Sequence, residues 1–264
     1  MCRRSATGGR RDVGQAEAVS TAPSVSDRLG SGPTHETLGW NVGHVVASMV
    51  AGLVGSVLMV LIAVGLGGHA TATTTHTADL WVLALSQVGL WGGLAGGPWL
   101  VSRRLGSGSL ARDFGLVFRR QDVLWASLGP VLQVAISVAY SPFVSNEEVS
   151  KVATDLAARA HGSPWQFALL AVATAVGAPF VEETFFRGMF LRVLRCRLGA
   201  VLSMVICGVV FGLFHFEPLQ FPALAVFGMI ASALAVVTGR LGASIWLHIG
   251  FNASTMVALA LQTF

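Results

Sequence analysis

The chain has 264 residues, of which 53% are hydrophobic and only 11% are charged, and its formal net charge is +4. Soluble globular domains carry about 25% charged residues, so this composition excludes a protein that dissolves in water on its own. The basic residues lie between apolar stretches and form no continuous basic stripe, so we expect no nucleic-acid partner.

The first 35 residues are rich in Gly, Ser, Thr, Ala and Arg and show no apolar periodicity. Such a composition is typical of disorder, and we predict a disordered cytoplasmic tail over residues 1–35. The first apolar stretch, residues 44–67, starts too late and runs too long for the core of a signal peptide. It therefore predicts a membrane anchor, which opens a transmembrane domain over residues 36–264.

Seven apolar stretches are long enough to cross a hydrocarbon core of about 30 Å as helices. They are residues 44–67, 79–101, 123–141, 165–186, 200–217, 222–238 and 243–262. The sequence therefore predicts an all-α, polytopic transmembrane helix bundle of about seven spans. With the N-terminus in the cytoplasm, all of the 17 basic residues except Lys151 and Arg159 fall in cytoplasmic segments. We accordingly predict a multi-pass protein of the cell membrane, surrounded by the lipid bilayer.

The loop before the fourth span has a helical pattern of its own. Ser145 and Glu148 form a capping box, and apolar residues recur at helical spacing from Val149 to Ala160. This pattern predicts an amphipathic helix that lies in the membrane interface. A purely structural role is the simpler interpretation, and a role in guiding a substrate is the alternative.

The fourth span contains a cluster of ionisable residues, which are costly inside a membrane and therefore indicate function. Glu183 and Arg187 are four residues apart, so they share a helix face and are expected to pair. That pair would leave Glu182 available for other work. Pro179 lacks an amide hydrogen, so we expect a disturbed helix near Ala175. The simpler alternative is that these acids mark a helix end at the interface.

Two later spans carry further polar residues. His215 ends an apolar run that begins at Val201, and His248 and Asn252 lie four residues apart on the last span. That spacing directs His248 and Asn252 to one helix face. The alternatives are a structural histidine near a helix end and an ordinary hydrogen bond between two membrane helices.

Helix lengths measured from Gly199 bring the first two clusters to the same depth. Glu182 is 17 residues before this glycine and His215 is 16 residues after it. Both therefore lie about 24–26 Å from the turn, and a helix hairpin would place them side by side. His248 lies only about 12 Å beyond Arg240, so the last helix must be tilted or must start deeper in the membrane.

Together the three clusters read Glu-Glu-x-x-x-Arg at 182–187, Phe-x-x-x-His at 211–215 and His-x-x-x-Asn at 248–252. In this order on separate helices they resemble the CAAX protease and bacteriocin-processing (CPBP, or Abi) family. This family includes the type II CAAX prenyl endopeptidases. The resemblance covers residues 178–252 and implies an intramembrane endopeptidase with its catalytic core in about residues 165–262.

The resemblance also implies roles for the motif residues. Glu182 would be the general base that activates water, assisted by His215. His248 and Asn252 would bind the substrate carbonyl and stabilise the oxyanion that forms on it.

The use of a metal stays open at this point. The family has been described both as metalloproteases and as glutamate-dependent proteases. The resemblance implies that Arg187 would position the two acids through Glu183. Glu182, His215 and His248 are the candidate ligands for Zn²⁺ with an open position for water. Because no His-Glu-x-x-His motif is present, nothing in the sequence decides between the two chemistries. We favour direct activation of water by glutamate and histidine.

The expected substrate is a membrane-associated peptide or protein. The composition, rich in Arg and Ala and poor in Lys, is typical of a bacterium with a GC-rich genome, where prenylated proteins are not expected. A bacteriocin precursor or a segment of a membrane protein fits better. The alternative function is a non-catalytic bacteriocin-immunity or membrane scaffold protein of the same fold. A transporter is less compatible, because the acidic motif is not repeated within the chain.

Overall fold

The computed structural model describes residues 24–30, 38–67, 80–143, 154–155 and 163–263. Within these residues all regular secondary structure is helical, which confirms the predicted all-α class. The predicted interfacial helix over 145–160 lies outside the described residues except for 154–155. The predicted disordered tail also lies outside them, apart from 24–30, which contain a short helix.

Helices account for most of the described residues. They are α1 (Val25–Gly30), α2 (Val42–Gly65), α3 (Leu80–Leu105), α4 (Leu110–Phe114), α5 (Leu128–Tyr140), α6 (Pro164–Arg195), α7 (Ala200–Leu213), α8 (Phe221–Thr238) and α9 (Gly242–Thr263). A 3₁₀ helix, Arg120–Ser127, leads directly into α5. Two π-helical segments, Ala173–Gly177 and Thr184–Phe190, interrupt the regular hydrogen bonding of α6.

Within the described residues, six helical segments are long and apolar enough to cross a membrane. They are Val42–Gly65, Leu80–Leu105, Arg120–Tyr140, Pro164–Arg195, Phe221–Thr238 and Gly242–Leu261. These segments confirm a polytopic helical bundle.

The predicted span over 200–217 contains a shorter apolar helix, α7. Its 14 residues reach only about 21 Å, which is less than the thickness of the hydrocarbon core. The chain leaves the helix in a turn where Phe216 has a φ of 56°, in the left-handed region. We therefore expect the turn that carries His215 to lie below the membrane surface.

The core of the bundle surrounds the second π-helical segment. All seven residues of Thr184–Phe190 are buried, and the aromatic rings of Phe185, Phe186 and Phe211 pack edge to face within it. The α2–α3 hairpin covers one side of α6, and the indole ring of Trp91 lies against Gly177. This arrangement shields the acidic motif of α6 on several sides.

The α7–α8 hairpin is held together by glycines, as is common where membrane helices approach closely. A Cβ atom at Gly208 would lie 2.6 Å from the amide nitrogen of Met229 and 2.8 Å from the carbonyl oxygen of Ala225. Both neighbours are backbone atoms, which cannot move aside cheaply. The close approach brings α8 against the helix that ends at the His215 turn.

We predict that Gly208→Ala lowers the stability of the protein by about 1–3 kcal/mol, because the added methyl group forces the hairpin apart. The measurement is thermal unfolding of the purified protein in detergent. Gly92→Ala is the matched control, since a Cβ atom at Gly92 meets nothing within 4 Å. Equal unfolding temperatures for the two variants would contradict this packing.

The start of α9 is tied into the bundle by the chain that follows α4. The amide of Leu241 donates to the carbonyl oxygen of Gly115 at 2.8 Å, and the amide of Gly242 donates to Val117 at 3.2 Å. Arg240 also forms a salt bridge with Asp122, which is fully buried. These contacts fix the beginning of the last helix against the chain that follows α4.

Candidate active site

The acidic motif lies between the two π-helical segments of α6. The first segment, Ala173–Gly177, confirms the disturbance predicted from Pro179. Ala178 donates its amide to the carbonyl oxygen of Ala173, five residues back, and Pro179 has no amide hydrogen to donate to Thr174. The carbonyl oxygen of Thr174 is therefore left to find a partner outside the helix. Such π-helical segments occur frequently at functional sites.

Asn252 of α9 supplies that partner. Its Nδ2 donates to the carbonyl oxygen of Thr174 at 2.9 Å, so the proline and the asparagine together explain a contact between α6 and α9. His248 and Asn252 lie on the same face of α9, as their spacing predicted. The two side chains nevertheless contact different parts of α6, because they are one helical turn apart.

The predicted pair between Glu183 and Arg187 is present. Arg187 Nη1 lies 2.8 Å from Glu183 Oε1, and both side chains are completely buried. Arg187 Nη2 also donates to the carbonyl oxygen of Gly228 at 3.1 Å, and the guanidinium lies over the ring of Phe211 at 4.4 Å. The arginine thereby connects α6 to both helices of the α7–α8 hairpin.

His248 lies between the two acids. Its Nδ1 is 3.0 Å from Glu183 Oε1, and its Nε2 is 3.9 Å from Glu182 Oε2. The imidazole packs between Phe211 and Phe227, with ring centroids 5.8 and 4.8 Å away. Oε1 of Glu183 thus contacts both Arg187 and His248, whereas the carboxylate of Glu182 lies beyond hydrogen-bonding distance from His248.

The two acids differ in accessibility. The side chain of Glu182 is 16% exposed, and that of Glu183 is fully buried. Glu182 is therefore the more accessible of the two acids.

His215 reaches the same region from the turn after α7. Its Nδ1 lies 2.8 Å from the carbonyl oxygen of Phe211, which explains the four-residue spacing of this motif. Its ring also packs on the ring of Phe211, at 4.7 Å between centroids. Within the described residues no hydrogen bond joins His215 to Glu182, because the chain turns at Phe216 and the ring points back along its own helix. Phe211 therefore separates His215 from His248.

Two polar contacts near the site were not predicted from the sequence. Gln133 of α5 donates to Thr255 at 2.7 Å and accepts from the hydroxyl of Ser254, which fastens α5 to the last helix. The second is the salt bridge between Asp122 and Arg240. A glutamine inside an apolar span was the available signal for the first, but its partners lie more than 100 residues away in sequence.

The three candidate Zn²⁺ ligands do not form a metal site among the described residues. Within the described part of the chain, no three His, Cys, Asp or Glu side chains come close enough together to hold a metal ion. Of the three candidate ligands, Glu182 and His248 are neighbours, whereas Nδ1 of His215 is occupied by the carbonyl oxygen of Phe211. We therefore derive no chemical step through a metal.

Fold and site together define a polytopic helical membrane protein with a buried acid and histidine cluster. Residues 164–254 match the family described as type II CAAX prenyl endopeptidase, Rce1-like. The match covers roughly a third of the chain and includes all six predicted site residues, and it confirms the resemblance drawn from the three motifs. Comparisons with curated proteins and with solved structures found no match.

Proposed function

We propose that the protein is an intramembrane endopeptidase that hydrolyses a peptide bond in a membrane-associated peptide or protein. The observation that carries the proposal is the meeting of Glu182, Glu183 and Arg187 with His248 inside the segment that matches the CAAX endopeptidase family. Buried charges carry a desolvation penalty of several kcal/mol each. A protein with a purely structural role would gain little from maintaining such a cluster.

The hydrogen bonds around Glu183 indicate where the protons of His248 lie. A carboxylate paired with Arg187 only accepts hydrogen bonds, so Nδ1 of His248 carries a proton that points at Glu183. With a second proton on Nε2, the charges of Arg187 and His248 balance those of the two glutamates. In this state the Nε2 proton faces Glu182 and the accessible side of the site.

Hydrolysis then begins with a water molecule held between Glu182 and His248. Their separation of 3.9 Å is too long for a hydrogen bond and suits a shared water. As the water oxygen bonds to the carbonyl carbon, Glu182 takes a proton from it. Breakage of the C–N bond follows, and the proton held by Glu182 passes to the leaving nitrogen. The two products thus share the atoms of one water molecule.

The oxyanion of the tetrahedral intermediate is stabilised by the Nε2 proton of His248. A donor in this position contributes about 3–4 kcal/mol to catalysis. Asn252 keeps one amide hydrogen beyond its bond to Thr174, and we assign it to binding the substrate carbonyl. Nε2 of His215 is the ring nitrogen not used by Phe211, and we assign it to assisting the proton transfers.

The test is cleavage of a library of membrane-associated peptides by the full chain in lipid nanodiscs, read by mass spectrometry. We expect His215→Ala to lower the cleavage rate by about 10²-fold or more. His44→Ala is the matched control, because His44 caps the start of α2 away from the site. Equal cleavage by both variants would contradict the assignment, and no cleavage by the wild type would favour an immunity or scaffold protein.

Chelation gives a separate prediction about the chemistry. Because the described acids and histidines do not form a three-ligand group, we expect dialysis against a zinc chelator to leave the cleavage rate unchanged. Adding Zn²⁺ back should not raise it. A loss of activity that Zn²⁺ restores would show that the nucleophilic water is bound by a metal.

A further inference from the structure

A cavity of about 140 Å³ lies at the end of α6, and Arg187 is one of the residues that line it. It opens where the last turns of α6 meet the connection between α8 and α9. Four of its ten lining residues are arginines, and no lining residue is acidic. The arginines are Arg187, Arg192, Arg195 and Arg240.

Two of these arginines are neutralised by acids behind the cavity wall. Arg187 pairs with Glu183, and Arg240 pairs with Asp122 through both carboxylate oxygens. The Nε of Arg187 is nevertheless buried without a hydrogen-bond partner among the described residues. This residue, which contributes to the cavity lining, therefore retains one unpaired donor.

Arg192 has weaker compensation than Arg187 and Arg240. Within the part of the chain that the structure describes, its guanidinium forms no hydrogen bond and no salt bridge. Asp113 is the acid that acts on it electrostatically. Burial alone would raise the pKa of Asp113, but hydrogen bonds from Ser102 and Ser107 hold the pKa below its ordinary value. Asp113 is thus ionised and already engaged, and it does not line the cavity.

We propose that this cavity binds a phosphate-type anion, whose source is either the headgroup of an anionic phospholipid or free phosphate. Guanidinium groups bind phosphate oxygens through pairs of parallel hydrogen bonds, and several arginines around one cavity favour a group with several charged oxygens. The distribution of basic residues predicts that this end of the bundle faces the cytoplasm, where anionic headgroups attract basic residues. The proposal does not depend on peptidase activity.

The site also bears on the acidic cluster, because Arg187 belongs to both. An anion bound in the cavity would share this guanidinium with Glu183. Occupation of the cavity is therefore expected to stabilise the folded protein as well as the position of the arginine.

The test is thermal unfolding of the full chain in nanodiscs of phosphatidylcholine alone, or of equal amounts of phosphatidylcholine and phosphatidylglycerol. A further arm adds inorganic phosphate to the phosphatidylcholine discs, with chloride at equal ionic strength as the reference. A ligand that binds only the folded state raises its unfolding temperature, and we expect a rise of about 3 °C or more. Arg192→Gln should abolish the rise, and Arg112→Gln, an exposed arginine outside the cavity, should retain it.

The results of these arms distinguish a lipid headgroup from free phosphate as the source of the anion. A rise with phosphatidylglycerol only assigns the site to a lipid headgroup, and a rise with inorganic phosphate as well assigns it to a soluble anion. No rise with either probe, or an equal rise in Arg192→Gln, would overturn the proposal. If Arg192→Gln does not fold, Arg192→Lys and native mass spectrometry of lipids retained by the wild type give the same decision.

Discussion

Glu182→Gln is expected to lower the turnover number by about 10³-fold or more without unfolding the protein. Of the two acids only Glu182 has a partly exposed side chain, and it makes no hydrogen bond that the fold depends on within the described residues. Glutamine keeps the size of the side chain but cannot take a proton from water. The measurement is a steady-state cleavage assay on a peptide that the wild type cleaves, together with the unfolding temperature of the variant.

The same substitution at the neighbouring Glu183 is expected to have a different effect. Glu183→Gln should lower the unfolding temperature, because the buried Arg187 then loses its counter-charge and His248 faces a neutral amide in place of a carboxylate. Glu182→Gln should not. A Glu182→Gln variant that is fully active would remove this residue from the reaction, whatever its stability.

Local spacing in the sequence predicted the elements of the site that depend on a single helix. The pair between Glu183 and Arg187 and the disturbance near Ala175 caused by Pro179 both follow from the residue spacing within one helix. Such contacts depend only on residues three to five positions apart, so one sequence is enough to foresee them.

Contacts between helices were harder to foresee. The distances of the two residues from Gly199, counted along their helices, predicted that Glu182 lies beside His215. In the structure α7 ends at Leu213, and the left-handed conformation of Phe216 turns the histidine towards its own helix. The close approach of His248 to the acids depends on the way that Leu241 and Gly242 bond to the chain after α4. Nothing in the spacing of either segment reveals this partner, because the two are more than 100 residues apart.

The hydrogen bond between Asn252 and Thr174 could be predicted only in part from the sequence. The missing amide of Pro179 predicts an unsatisfied carbonyl oxygen one turn earlier, and the polar face of α9 offers a donor. A sequence can therefore state that the oxygen needs a partner and that a donor exists. It cannot state that the two meet, since that depends on how the helices cross.

Breaking the buried salt bridge of the site is expected to have the largest effect on stability. Arg187→Met leaves Glu183 charged, buried and opposed only by His248, and we expect it to lower the free energy of unfolding by about 3–5 kcal/mol. Glu183→Leu leaves the guanidinium uncompensated and should cost a similar amount. The measurement is equilibrium unfolding of the membrane-embedded protein, and Arg112→Met, an exposed arginine, should change it by less than about 0.5 kcal/mol.

The double variant Glu183→Leu with Arg187→Met distinguishes the pair from two independent residues. Once both charges are removed, neither partner is left buried alone, so the loss should be smaller than the sum of the single losses by about 1–3 kcal/mol. The remaining loss reflects the hydrogen bonds of Arg187 to Gly228 and of His248 to Glu183, which apolar side chains do not replace. Additive losses would mean that the two residues stabilise the bundle separately. The double variant should also be inactive, because His248 then has no acceptor that fixes which of its nitrogens faces the substrate.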